Sequence, residues 1–256
     1  MTKIGVFINQ EKDTEGKIAE EIVSAAKKLG ADCSLVEKNQ SYDFVISVGG
    51  DGTFLGTARK FMESGTPIVG VNLGNLGYLT EISKEQVHDA LAQILAGNYT
   101  VEERILLEAE FLGQKMYALN DIVVSRGIQT KLLELNLFFD GKFVDRYRAD
   151  GLILATPTGS TAYSLSSGGP IAEPALDVLL VTPICAHSLY QRPIIVRGDT
   201  EIRVETPGCM VVADGQELRE HYEETSVIIR KSEKTIKLMK LKDHFFFDTV
   251  RKKFMK

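Results

Sequence analysis

No block of five or six basic residues occurs anywhere in the chain, and 30 Lys and Arg face 35 Asp and Glu for a formal net charge of −5. Gripping nucleic acid by bulk charge is therefore unsupported, because that mode depends on neutralising successive phosphates. Cysteine is scarce as well: Cys33, Cys185 and Cys209 are odd in number, far apart and form no CxxC pair. Such usage argues against a disulfide or zinc framework and suits reduced thiols in a cytosol. Long apolar runs are missing too. The longest stretch without a charged side chain, Gly151 to Ala172, is half Gly, Ser or Thr and does not read as a membrane span. The opening MTKIGVFINQ reads as a first strand and lacks a signal peptide's longer apolar region and cleavage site, so a soluble cytoplasmic protein is expected. No HExxH and no GxSxG occurs, and His88, His187, His221 and His244 fall in no metal-ligand or triad spacing.

What is present is globular: 256 residues, 44% hydrophobic and 25% charged, enough for one large domain or two modest ones. The first hundred residues alternate strand and helix. Ile4–Ile8 reads as a strand, and a helix follows from about Thr14 to Leu29, with Ile18, Ile22, Ala26 and Leu29 on one face and Gly30 as its stop. Then come strands Leu35–Val36 and Phe44–Val48, a helix Phe54–Ser64, a strand Pro67–Val71 and a helix Ser83–Ala96, opened by Ser83 with Gln86 in capping-box spacing. This rhythm predicts a Rossmann-like parallel sheet with ligands at the carboxyl ends of its strands.

After about Tyr99 the pattern becomes mainly β, with short runs at Leu106–Leu112, Tyr117–Ser125, Leu132–Phe139, Gly151–Thr156, Ile194–Val196, Ile202–Thr206, Met210–Ala213, Val227–Arg230 and Ile236–Leu241. Asp140-Gly141 is a type I′ hairpin signal, and the second half reads as sandwich-like. The expectation is an α/β domain over 1–99, a mainly-β domain over 100–237, a cleft between them, and a tail, 238–256, that returns to the first domain. Phe245, Phe246 and Phe247 in that tail require something to pack against, in the first domain or on a second subunit.

Gly49-Gly50-Asp51-Gly52-Thr53 lies directly after one strand and before a helix. Glycines let backbone N–H groups approach a phosphate, and the helix N-terminus adds a partial positive charge. A carboxylate there is repulsive to phosphate unless it accepts a proton from a hydroxyl or helps to hold Mg²⁺. The bland alternative is a tight turn in which Asp51 caps the helix. A second glycine loop, Gly70 to Gly77, follows the next strand at the same edge of the sheet, though Gly and Asn are also ordinary turn formers. Asn9 to Lys12 replace a GxGxxG after the first strand, and no GxxxxGK[ST] exists, which disfavours ordinary dinucleotide dehydrogenases and P-loop enzymes. The run from Thr156 to Pro170, rich in hydroxyls and glycine with Tyr163 as an aromatic face, suits a nucleotide or, equally, a tightly packed domain interface.

Taken as full strings, GGDGT at 49–53, NLGNLGYL at 72–79, Asn120-Asp121, DGLILATPTGSTAYSLSSGGPI from Asp150 to Ile171, TPICAHSL at 182–189 and Asp214-Gly215-Gln216 resemble the NAD kinases over nearly the whole chain. GGDGT alone is shared with diacylglycerol kinases and phosphofructokinases; the TPTGSTAYSLS string separates them. The resemblance implies transfer of the terminal phosphoryl group of ATP, or of another donor such as polyphosphate, to the 2′-hydroxyl of the adenosine ribose of NAD, giving NADP. It implies Asp51 as the catalytic carboxylate, Gly49, Gly50, Gly52 and Thr53 as the phosphate-donor loop, and Mg²⁺ with the donor, with no resident structural metal. For the dinucleotide it implies Gly52, Phe54, Asn120, Asp121, Lys131, Arg148, Asp150, Thr161, Ala162, Tyr163, Ser164, Leu165, Ser166, Cys185 and Gln216. Arg148 would meet the new 2′-phosphate, with a surface ion pair as its ordinary alternative. Asp121 stands where Glu is more usual, one methylene shorter, and Ala186 replaces the usual Pro. The resemblance further implies a homodimer or homotetramer, with no nucleic acid or membrane partner. Two other readings stay open on sequence grounds: a lipid or sugar kinase sharing the GGDGT loop, and a non-catalytic NAD(P) sensor.

Overall fold

A computed structural model describes residues 1–8, 16–74, 77–80, 82–188, 190–241 and 245–254. Asn9 to Lys12, Thr14, Asn75, Leu76, Leu189 and His244, named above, lie outside the described residues. The chain divides into two compact units, Met1–Glu103 with Ile236–Lys256, and Arg104–Thr235. Among the described residues no helix is long and apolar enough to cross a membrane.

The first unit runs β1 (Lys3–Ile8), α1 (Lys17–Lys28), β2 (Asp32–Leu35), β3 (Phe44–Gly49), α2 (Asp51–Phe61), β4 (Ile68–Asn72), β5 (Ile82–Ser83), a 3₁₀ turn at Lys84–Gln86, α3 (Val87–Leu95) and the start of β6 (Tyr99–Phe111). β1 pairs with β2 and β3, and β4 with β3 and β5, all in parallel. Strand faces alternate. Ile4, Val6, Phe44, Ile46, Val48, Val69 and Val71 pack with Ile22 and Ala26 of α1 and Val87, Ala90, Leu91 and Ile94 of α3. From the opposite face Ser47 Oγ meets Thr57 Oγ1 of α2 at 2.8 Å. Helices thus cover both faces, as parallel strands require.

The stripe of α1 departs from its sequence reading at one end: Ala19, Ile22 and Ala26 are buried and Ile18 packs against the same core, while Leu29 is the C-cap and 36% exposed. Gly30, at φ +84, donates to the Lys27 carbonyl at 3.0 Å, and Ala31 to that of Ala26 at 3.1 Å, a Schellman closure that needs the left-handed residue. The Ser83–Gln86 capping box is present and opens the 3₁₀ turn ahead of α3.

The second unit adds β7 (Gln114–Ala118), β8 (Asp121–Ser125), β9 (Leu133–Phe139), β10 (Lys142–Ala149), β11 (Gly151–Ala155), a 3₁₀ turn at Thr158–Thr161, α4 (Tyr163–Ser166), β12 (Val178–Ile184), β13 (Ile194–Arg197), β14 (Ile202–Thr206), β15 (Cys209–Ala213), β16 (Glu217–His221) and the first part of β17 (Thr225–Leu241). One sheet contains β10-β9-β14-β17 in that order; the other is β13-β12-β11-β8-β15-β16. Leu135, Leu137, Tyr147, Ile202, Val204, Val227 and Ile229 of the former pack against Ile122, Val124, Leu152, Leu154, Leu179, Val181 and Val211 of the latter. That is a sandwich. Asp140 and Gly141 have φ of +49 and +76 in the β9–β10 hairpin, as a type I′ turn requires.

Several elements differ from the sequence reading. The run Tyr117–Ser125 is two strands, β7 and β8, with a break at Leu119-Asn120. The runs Val227–Arg230 and Ile236–Leu241 are one strand, and β12, β16 and most of β10 carry pairing that the apolar pattern did not signal. From Ile236 on, the chain belongs to the first unit, where Leu238 of β17 pairs in parallel with Ile68, and α5 (Phe246–Phe254) ends the described residues. The ring of Phe247 meets those of Phe245 and Phe246 with centroids 5.6 and 5.0 Å apart, yet Phe245 and Phe247 remain 55% and 42% exposed.

Candidate active site

Gly50, in extended conformation, is the N-cap of α2, and no side chain caps that helix. Asp51 is therefore its first residue and does not act as the cap that the turn reading assigned to it. Its carboxylate reaches instead to the segment after β4. Oδ2 accepts the N–H of Tyr78 at 2.8 Å, while Oδ1 accepts those of Leu79 and Thr80 at 3.0 and 3.2 Å and the Thr80 hydroxyl at 3.1 Å. Leu73 N–H donates to the Gly49 carbonyl at 2.9 Å, tying the two glycine loops together. Gly77 has no room for a side chain: a Cβ there would overlap Oδ1 of Asp51. A Cβ at Gly52 would meet nothing within 4 Å, so open space lies beside Asp51 at the start of α2. The N-terminal turn of a helix favours negative charge in such a space. Phe54 is fully buried, and its side chain does not face solvent.

The second unit has a cavity of about 540 Å³, within the range of small-molecule sites, on the sheet face turned away from the sandwich core. Strand alternation builds it: Asp121, Val123 and Ser125 of β8 line it beside Met210 and Val212 of β15, whereas Ile122, Val124 and Val211 point into the core. Asn120, Arg126, Gly127, Asp150, Ala162, Tyr163, Ile184, Asp214 and Gly215 complete the wall.

The break at Leu119-Asn120 that aims Asn120 and Asp121 is clamped from two sides. Asp214, a non-glycine residue at φ +51, accepts the N–H groups of Leu119, Asn120 and Asp121 at 2.9, 2.7 and 3.3 Å. From the other side Thr156 donates its hydroxyl to the Leu119 carbonyl at 2.6 Å and its N–H to that of Asn120 at 2.9 Å. Gly159 packs against the same carbonyl so closely that a Cβ would overlap it.

Asp121 is 5% exposed. Burial, reinforced by the neighbouring Asp214, raises its pKa to about 7 against the opposing pull of the Tyr163 N–H. Asp150 is paired instead: Arg126 Nε donates to its Oδ1 at 2.7 Å, and the same guanidinium also donates to the Gln129 carbonyl.

The cavity therefore brings together Asn120, Asp121, Asp150, Ala162 and Tyr163 from the residues singled out in the sequence. Thr161 and Leu165 are half-buried beside it, Ser166 is exposed, and Ser164 is fully buried with Oγ 2.8 Å from Thr182 Oγ1. Lys131, Arg148 and Gln216 are exposed and outside the lining, and Cys185 is exposed at φ +47. His221 sits on β16, also outside the lining. Sequence reading missed Val123, Ser125, Arg126, Met210, Val212 and the clamping role of Asp214. Alternation from Asp121 signals Val123 and Ser125; the β15 residues need the strand pairing.

Two family models match the chain, the ATP-NAD kinase N-terminal domain over residues 8–99 and the ATP-NAD kinase C-terminal domain over residues 119–241. Among curated relatives, an NAD kinase of Thermoanaerobacter sp. (strain X514) is 40% identical over 279 residues, covering 99% of either chain. One from Caldicellulosiruptor bescii is 40% identical over 258 residues, covering 98% of either. Among solved structures, an NAD kinase from Archaeoglobus fulgidus in complex with ATP superposes with a TM-score of 0.83 at 32% identity, over 97% of this chain and 98% of that one. Yeast NADH kinase complexed with NADH shares the fold, with a TM-score of 0.86 at 23% identity, over 98% of this chain and 86% of that one.

Proposed function

The chain belongs to the NAD kinase family, and from that premise we infer how its residues divide the work of phosphorylating NAD to NADP. ATP supplies the phosphoryl group, and the 2′-hydroxyl of the adenosine ribose receives it. Asp51 accepts the ribose proton as the oxygen attacks the terminal phosphorus. The observation that carries this reading is the setting of Asp51: backbone donors hold both carboxylate oxygens, yet its side chain stays 31% exposed, with open space beside Gly52 for anionic phosphates. Gly49, Gly50, Gly52 and Thr53 form the donor loop. Mg²⁺ travels with the triphosphate as part of the donor substrate and offsets its charge.

In the second unit, the Asn120 amide and the Asp121 carboxyl recognise ribose hydroxyls and a base edge, while Tyr163, 45% exposed, offers a ring for stacking. Thr161, Ala162, Leu165 and Ser166 form the wall around the dinucleotide, with Ser164 buried behind them and hydrogen-bonded to Thr182. Asp150 and Cys185 border its nicotinamide half, and Arg148, Lys131 and Gln216 act at its margin. Polyphosphate is an alternative donor. The chain assembles as a homodimer or homotetramer, for which the exposed Phe245 and Phe247 supply a motive.

The test is to incubate the purified chain with NAD, ATP and Mg²⁺ and to quantify NADP with an NADP-specific dehydrogenase. NADP formation supports the reading. Phosphorylation of a lipid or sugar with none of NAD, or NAD binding without turnover on ATP or polyphosphate, overturns it. A substitution tests the second unit independently. Gly159→Ala forces a methyl against the Asn120 carbonyl, and overpacking of this kind costs about 1–3 kcal/mol. It should lower the thermal midpoint and weaken NAD binding at least about tenfold, read by melting and titration, because Asn120 and Asp121 move with that carbonyl.

A further inference from the structure

The C-terminal helix carries a charge to the carboxylate on which the proposed reaction rests. Lys253 of α5 places Nζ 4.0 Å from Oδ2 of Asp51 and 3.9 Å from the centroid of the Tyr78 ring. Tyr78 is the residue whose N–H donates to that same Oδ2. The ammonium is thus seated between an aromatic face of the segment after β4 and the α2 carboxylate that this segment's backbone holds, an arrangement favourable on both sides. Neither charge is sealed away, since the side chains of Lys253 and Asp51 are 29% and 31% exposed. A second lysine from the same end of the chain, Lys240 of β17, is 5% exposed, and burial lowers its pKa to about 7 while the charge of Asp51 opposes that fall. All four residues belong to the first unit.

A carboxylate at a phosphate-binding loop repels the polyanion that must approach it. Asp51 has four hydrogen-bond donors from residues 78–80, but these are neutral groups and leave its full charge in place. Lys253 brings a positive charge to 4.0 Å from that carboxylate.

We propose that Lys253 is a positioning residue for phosphoryl transfer: held between Tyr78 and Asp51, it offsets the carboxylate's charge and so admits the anionic donor beside it. The inference rests on the reading of Asp51 as the reacting carboxylate. It makes the C-terminal helix part of the donor end of the enzyme. A cation of the same charge should serve in its place, and a neutral side chain of similar length should not.

The experiment compares Lys253→Met and Lys253→Arg with the parent chain, measuring kcat, KM for MgATP, NAD affinity by titration and the thermal midpoint. The expected result is a loss of about tenfold or more in kcat/KM for MgATP in Lys253→Met, carried mainly by KM, with NAD affinity within about twofold of the parent. Lys253→Arg should recover most of that loss. Unchanged kcat/KM for MgATP in Lys253→Met overturns the proposal, as does a loss that Arg does not rescue and that tracks a fall in thermal midpoint, since that marks a packing role. Should Lys253→Met lose its native melting transition, Lys253→Gln is judged by the same criteria. Asp51→Asn run alongside separates the two readings: its activity judges Asp51, whatever Lys253 does.

Discussion

Asp51→Asn lowers kcat for NADP formation by about 10²–10⁴-fold, the range associated with loss of a general acid–base group. The carboxylate has two tasks, and the substitution damages both. Oδ1 accepts from Leu79 N–H, Thr80 N–H and the Thr80 hydroxyl, while Oδ2 accepts from Tyr78 N–H and faces the Lys253 ammonium. An amide has one acceptor oxygen. Placed with that oxygen at Oδ1, Asn aims its NH₂ at the Tyr78 donor and at a cation; reversed, it aims NH₂ at three donors. Either way a partly buried donor is left without its acceptor, a cost of about 1–3 kcal/mol. The thermal midpoint should therefore fall as well, and kcat must be measured well below it.

Dinucleotide affinity separates the two tasks. The cavity residues belong to the second unit and Asp51 to the first, so NAD binding by titration should stay within about twofold of the parent. A variant that melts lower, binds NAD normally and makes almost no NADP assigns the carboxylate to the chemistry. Retention of more than about a tenth of the parental kcat would assign it to anchoring the 78–80 segment instead.

What the chain order disclosed and what it hid follow from the range of the interactions involved. The GGDGT loop was legible because its signal is local: an apolar strand, two glycines and a helix within eighteen residues, and Gly30 with its Schellman closure is equally local. Tyr117–Ser125 read as one strand because every side chain in it but Asn120 and Asp121 fits one. The group that breaks it, Asp214, lies more than ninety positions away and acts through three backbone amides. Val178–Ile184 passed unnoticed because its apolar run, Val178–Val181, is short and without a period and is followed by Thr182 and Pro183, and only its antiparallel pairing with β11 and β13 makes it a central strand.

The site divides in the same way. Asp51, Asn120 and Asp121 carry chemistry in their side chains and stand in distinctive strings. Val123, Ser125, Met210 and Val212 are ordinary strand residues, made into a wall only by alternation and by the pairing of β8 with β15. Arg126 gives no sign in the sequence that it pairs with Asp150, twenty-four positions on, because adjacent strands β8 and β11 bring the two together.

Asp121→Asn should make the protein more stable at pH 8 while making it a poorer binder of NAD. The carboxyl is 5% exposed, and burial, with Asp214 close by, raises its pKa from 3.8 to about 7. A raised folded-state pKa means that the folded chain binds a proton more tightly than the unfolded one. Its stabilising contribution is thus full below pH 3.8 and is lost as the pH climbs towards 7. At pH 8 the folded protein holds a charge in a site that disfavours it, a cost on the order of 2–4 kcal/mol. Asn removes that charge at nearly constant volume. Melting the parent and the variant at pH 8 and pH 5 should show the variant several degrees higher at pH 8 and the gap narrowed to less than half at pH 5, since it closes fully only below pH 3.8. A difference of the same size at both pH values would show that packing, and not the buried charge, sets it. Binding moves the other way. Loss of a charged acceptor facing the cavity should weaken NAD at pH 8 by about 1.5–3 kcal/mol, roughly ten- to a hundredfold in Kd. Stability gained together with affinity lost at one residue is the pattern expected where a buried charge is retained for recognition.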